Sequence, residues 1–178
     1  MTLIEIMVAF TLFAIMASGV AATLVQMRKE AESNISQATA QVIAQGIVEQ
    51  LQFVPYNALC NASSVDLKLI GVSSGNLADI QTFTVTWASD ATYTAIGEVS
   101  GGVTKGVVLD ADYKSGSTTI RPKRYMKMNV NLQRSVDIVN GNASVILSYQ
   151  WQLPDRNIGA PVFITKEIRV IRSQAPSY

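Results

Sequence analysis

No histidine occurs anywhere in the 178 residues. That removes Ser-His-Asp and Cys-His catalysis, and with them the commonest metal ligand. Cysteine is nearly as scarce. Cys60 stands alone, so no intrachain disulfide can form and no Cys-x-x-Cys metal or redox motif exists. In an exported protein such a thiol stays free or pairs between chains. Charged residues make up 15% of the chain and the net charge is +1, which leaves no global attraction to nucleic acid or acidic lipid. A phosphate-binding loop is missing too. Gly101 to Gly106 (GGVTKG) has glycines and a lysine without the GxxxxGK[ST] order. Asp110-Ala111-Asp112 followed by Gly116 fails the spacing of a calcium loop and lacks its closing glutamate. With no convergent acid pair on the strand-like faces either, the expectation is a chain with no catalytic residues, no metal and no cofactor.

What the chain does have is apolar residues, 48% of the total. They are concentrated in Ile6 to Val25, twenty residues without Asp, Glu, Lys or Arg. As a helix this run would be ~30 Å long, the thickness of a bilayer core. No proline interrupts the sequence before Pro55, and the first half reads as one long helix of ~80 Å. Residues 1–25 are expected to be apolar all round, as a segment in lipid or in a helical bundle is. Residues 26–54 continue it amphipathically, with Met27, Ala31, Ile35, Ala38, Val42 and Gly46 at spacings of three and four. Ile43, Ile47 and Leu51 extend an apolar side toward Pro55, which ends the helix.

Residues 55–178 read as a globular head built on antiparallel sheet. Thr82 to Trp87 alternates with Phe83, Val85 and Trp87 on one face, and Met126 to Leu132 with Met126, Met128, Val130 and Leu132 inward. Ser144 to Leu153 groups Val145, Leu147, Tyr149 and Trp151, and Val162 to Ile171 is a further strand. Asn140-Gly141 is a strong hairpin signal between two of these runs, and Pro154 to Pro161 makes another connection. Residues 54–81 and 89–123 look loop-rich, punctuated by Gly101-Gly102 and Ser115-Gly116. The expected fold class is α+β: a long N-terminal helix whose second half packs on an antiparallel β-meander.

Glu5 is the anomaly. An unpaired carboxylate in hydrocarbon costs at least a few kcal/mol, and no Lys or Arg precedes Arg28. The one positive group at that depth is an amino terminus. Its own lies in poor geometry one turn away, whereas that of a neighbouring, axially shifted copy can reach it. Alternatively, the acid simply sits wet in the first turn and gains ~0.3–1 kcal/mol from the helix macrodipole.

Thr2-Leu3-Ile4-Glu5, followed by about twenty apolar residues, closely resembles the mature N-terminus of type IV pilins and of type II secretion pseudopilins. The resemblance covers roughly the first 30 residues, and the helix-then-sheet order extends it. It implies a pilin-like fold and a structural subunit of an extracellular filament, with no catalysis. It also implies a leader removed by a prepilin peptidase, a methylated residue 1, and assembly on an inner-membrane platform into a helical homopolymer. Localisation would pass from inner membrane to extracellular filament. Assembly residues carried over are Met1, Thr2 and Glu5, with Glu5 paired to a neighbour's amino terminus. The small residues Ala14, Ala17, Ser18, Gly19, Ala21 and Ala22 let helices approach closely. Two departures are Met1 for the usual phenylalanine and Ala22 where many major pilins have proline. Any unwinding would then be sought between Ala14 and Ala22. The missing proline points toward minor pilins or pseudopilins; the reading taken is a main filament subunit, with a low-copy minor pilin or pseudopilin as the alternative, and a monomeric membrane-anchored β-domain binding protein as a different class. Arg121, Lys123, Arg124 and Lys127, around Tyr125, could touch DNA or another surface ligand, although a solvated strand edge explains them more simply.

Overall fold

The computed structural model describes residues 2–70, 80–87, 92–110, 112–137, 141–153 and 162–173. It is an α+β arrangement, pilin-like in layout, with a long N-terminal helix and antiparallel sheets. Helix α1 runs over Leu3–Phe53 without a break. It is continuous through residues 14–22, because no proline intervenes and Gly19 alone costs only ~1 kcal/mol relative to alanine. Pro55 follows and opens a short second helix, α2, Tyr56–Asn61.

The chain divides into two compact units, residues 1–35 and 36–178. In the first, every described residue from Thr2 to Ala31 is exposed. Three of its hydroxyls are satisfied within the helix: Thr11, Ser18 and Thr23 each donate to the carbonyl three residues back, at 2.8 Å. Such back-bonding removes the cost of a hydroxyl facing an apolar medium.

The second unit holds the core. Three long strands, β9 (Met128–Asp137), β10 (Asn142–Gln152) and β11 (Phe163–Ser173), form the expected meander. Gly141, at φ 62°, closes the β9–β10 hairpin as an Asn-Gly signal requires; Asn140 and residues 154–161 lie outside the described residues. Strand β3 (Thr94–Ile96) adds to the far side of β9, giving the order β11-β10-β9-β3. Residues two apart share a face, so Met128, Val130 and Leu132 lie beside Trp151, Tyr149 and Leu147, all buried. Trp151 is fully buried, with the Tyr149 ring stacked 5.9 Å away.

Helix α1 meets this face through Ala40, Ala44, Ile47 and Leu51, with Ser36 buried on the same side. The expected apolar side holds toward the helix end, where Ile47 and Leu51 are buried and Ile43 partly so, but Ile35, Ala38 and Val42 are exposed and Ser36, Ala40 and Ala44 are buried in their place, about half a turn away at 3.6 residues per turn.

The segments read as loop-rich in fact carry α2 and short strands. Strand β1 (Ser64–Ile70) pairs with β2 (Ile80–Thr86); Val85 is buried and Trp87 half-buried, while the side chain of Phe83 lies outside the described set. Strand β4 (Glu98–Ser100) pairs with β5 (Val103–Asp110), which pairs with β8 (Arg124–Met126). A hairpin of β6 (Tyr113–Ser115) and β7 (Thr118–Arg121) completes the described strands. The chain changes sheet at Gly97, between β3 and β4, and at Lys127, between β8 and β9. At these corners backbones stack directly. A Cβ on Gly97 would overlap the carbonyl of Gly106, and one on Gly106 would overlap the carbonyl of Met126.

Side chains tie both helix ends to the strands. Arg134 on β9 donates to the carbonyls of Leu59 and Ala62 at the end of α2, 2.8 Å each, and lies over the Trp87 ring. Arg172 on β11 donates to the carbonyl of Gln52 near the end of α1, which has no basic residue in its own last turn. Cations belong at helix C-termini, where orphan carbonyls collect. Gln50 faces β1 with its amide, donating to the Lys68 carbonyl and accepting from the Lys68 N–H, both at 2.7 Å. Arg134→Met should lower the urea-unfolding stability by about 2–3 kcal/mol, because hydrogen bonds to a charged donor are worth ~1.5–3 kcal/mol and the two carbonyls lose theirs.

Candidate functional site: the helix tip and the basic segment

Two sets of residues are candidates, and each is built differently from what composition alone indicates. At the helix tip, Thr2 precedes the first helical residue, and Glu5 is the third residue of α1. The Thr2 amide N–H donates to Glu5 Oε2 at 2.8 Å, and the Glu5 amide N–H donates to the Thr2 carbonyl at 3.1 Å. This is the carboxylate half of a capping box. The acid therefore has a hydrogen-bond donor within its own chain, which the reading of Glu5 as partnerless does not anticipate. The signal is present in the residues: Thr-x-x-Glu is the capping order. A neutral N–H satisfies one carboxylate oxygen without cancelling the charge. Met1 lies outside the described residues.

Around that tip the described surface is mostly apolar. Leu3, Ile4, Phe10, Phe13, Ile15 and Met16 are all at least two-thirds exposed. Ala14, Ala17, Ser18, Gly19, Ala21 and Ala22 are exposed among them; Ser18 donates to the Ile15 carbonyl, and the space beside Gly19 is open. By length and composition α1 is long and apolar enough to cross a membrane.

The basic segment does not form one strand edge. Arg121 ends β7, Lys123 lies in the turn, Arg124 starts β8 and Lys127 sits at the sheet corner. The fold brings acids to them. Lys123 Nζ is 3.2 Å from Glu98 Oε2, which also accepts from the Tyr125 hydroxyl at 3.3 Å. The Lys123 N–H donates to Asp112 Oδ1 at 2.7 Å. Asp110 faces Arg124 across the β5–β8 pair. Lys123 is thus committed inside the protein, and Arg121 and Lys127 are exposed. A small cleft of about 140 Å³ lies beside Arg124, Tyr125, Lys127 and Ser36. Among the described residues no group of three His, Cys, Asp or Glu side chains is placed to hold a metal ion.

These contacts set an alkaline limit. The hydrogen bond to Glu98 raises the Lys123 pKa, desolvation followed by the Glu98 charge raises that of Tyr125, and burial raises that of Tyr149. In each case the fold holds the proton more tightly than the unfolded chain does. Their contribution is complete below the ordinary values near ~10 and is lost as pH climbs through the higher folded ones. With no histidine to titrate between pH 5 and 8, urea midpoints should change little from pH 7 to 9 and fall above pH 10.

Comparison with protein-family models, curated proteins and solved structures finds no match to this chain. The fold and the exposed apolar helix define the class as far as an α+β chain with a segment able to anchor in a membrane.

Proposed function

We propose that the chain is the structural subunit of a type IV pilus-like filament, held in the inner membrane before assembly and carried into an extracellular helical homopolymer afterwards. The carrying observation is the helix from Leu3 to Val25, apolar, fully exposed and headed by a carboxylate in its first turn. Two environments satisfy such a surface, lipid or the helices of other copies, and a subunit that moves from one to the other needs both to suit it. Further support comes from the second unit. There α1 buries one side against the sheet yet exposes Ala38, Val42 and Phe53 on the other, Phe53 at 87%. No reaction is assigned to the protein.

A monomeric, membrane-anchored β-domain protein is the second reading. The observation favouring it is the Thr2 cap, which gives Glu5 a role that needs no neighbour. Electron microscopy of material sheared from cells producing the native chain, alongside Glu5 variants, separates the two: filaments that depend on Glu5 support the first, and chain found solely in the membrane fraction overturns it.

A further inference from the structure

Strand β11 forms one edge of its sheet: in the order β11-β10-β9-β3 it pairs with β10 alone among the described strands. The opposite edge, β3, is three residues long. Strand β11 has eleven, Phe163–Ser173, with no proline or glycine, and its register against β10 runs unshifted from end to end. Sheets ordinarily shorten, bulge or break such an edge, because its unpaired N–H and C=O groups are a template for another strand. Charges are the remaining guard, and the fold engages two of them within the chain. Lys166 lies over the Trp151 ring and Arg172 reaches the Gln52 carbonyl.

The other face of β11 carries Thr165, Glu167, Arg169, Ile171 and Ser173, all exposed. Glu167 Oε1 accepts from the Ser148 hydroxyl at 3.3 Å, a neutral donor that leaves the charge in place. Among the described residues neither Glu167 nor Arg169 is in a salt bridge. Their order in the strand states the partner. Laid antiparallel on a copy of itself about Ile168, β11 sets Glu167 opposite Arg169 and Arg169 opposite Glu167. Thr165 meets Ile171 on the same face, and Ile168 meets Ile168 on the other. Centring on Glu167 or on Arg169 instead sets like charges directly opposite each other, which is destabilising. The register about Ile168 is complementary to the strand's own charges.

We propose that β11 is a docking edge for a second copy of this chain, the two sheets joining through antiparallel β11 strands related by a two-fold axis at Ile168. Such a contact is isologous, so both Glu167–Arg169 pairs form together. Main-chain hydrogen bonds supply the affinity and the facing side chains the register, as in strand addition generally. The axis reverses β11 and, with it, residues 36–53 of α1, which pack along the sheet through Ala40, Ala44, Ile47 and Leu51. Neighbours in a polar filament all point one way. This contact joins copies of opposite direction, and it does not rest on the filament reading.

Disulfide trapping of the full chain in neutral detergent tests it, with Cys60→Ser throughout to remove the native thiol. This register sets Thr165→Cys in one copy opposite Ile171→Cys in the other, at the ~4.5–5.5 Å Cα separation that a disulfide spans. A mixture of the two variants should give at least tenfold more cross-linked dimer than either alone, because like cysteines would lie ~20 Å apart along the ladder. Glu167→Arg added to both should cut the yield about tenfold. Glu167→Arg in one and Arg169→Glu in the other restores opposite charges and should restore the yield. All four positions are exposed, so circular dichroism should be unchanged. Cross-linking of the single variants equal to that of the mixture, as loose association through α1 would give, overturns the proposal. So does a mixture that yields no dimer, or a yield indifferent to charge reversal. Filament micrographs read α1 and Glu5 rather than this edge, so the two readings fail separately.

Discussion

Glu5→Ala is expected to abolish filaments while leaving the chain in the membrane. The twenty apolar residues after Glu5 carry insertion, and losing the cap costs the helix only about 1 kcal/mol. Alanine removes the cap and the charge together, so Glu5→Gln is the informative partner. Its amide oxygen can still accept from the Thr2 N–H, the bond Glu5 makes at 2.8 Å, but it carries no charge for a neighbour's amino terminus. If capping is all that Glu5 does, the glutamine variant should assemble like the wild type. If the charge is required, filament yield from both variants should drop at least tenfold, since losing a few kcal/mol per subunit contact in hydrocarbon exceeds the 1.4 kcal/mol that equals a factor of ten. Negative-stain images of sheared material, with immunoblots of the membrane fraction, measure both quantities. Wild-type yield from Glu5→Ala would remove the basis for the filament reading.

The second large effect is in the head. Gly106→Ala should destabilise residues 36–178 by roughly 3–5 kcal/mol, which for a marginally stable domain approaches unfolding. Gly106 has φ 120°, outside the range of an L-residue, and the added methyl would meet the Met126 carbonyl, a backbone group on an adjacent strand. Neither atom can swing aside as a side-chain end would. Gly101→Ala is the control: its φ is 61° with open space around it, so the cost should stay near 1–2 kcal/mol. Both tryptophans, Trp87 and Trp151, lie in this unit, so urea titrations followed by their fluorescence report on it directly.

Some of this fold is plain in the residues and some is not, for physical reasons. The meander is legible because Met128, Val130, Leu132 and then Val145, Leu147, Tyr149 alternate over long strands with an Asn-Gly between them. Strands such as Glu98–Ser100 and Tyr113–Ser115 are three residues long with little apolar contrast. Glu98–Ser100 follows from the change of sheet at Gly97, and no local pattern encodes that crossing. Helix α1 misleads in another way. It has apolar residues on two opposite sides; periodicity picks out Ile35, Ala38 and Val42, whereas the core takes Ala40 and Ala44 on the side that continues into Ile47 and Leu51. At the helix tip Glu5 stands out in the sequence by its isolation. Its own cap is easily overlooked, because the problem of its charge obscures the shorter-range Thr-x-x-Glu hydrogen bond. The basic run is visible as residues, but its division into a committed Lys123 and the exposed Arg121 and Lys127 depends on Glu98 and Asp112, which only the fold brings near.

The internal bonding of Thr11, Ser18 and Thr23 has a mechanical consequence. Among the described residues from Leu3 to Val25, Glu5 is the one charged side chain and the three hydroxyls are turned back onto the helix. A neighbour lying along this stretch therefore meets shape alone, the ridges of Phe10 and Phe13 and the notch at Gly19. Beyond the first turn, any polar contact that sets a register has to come from residues after Val25.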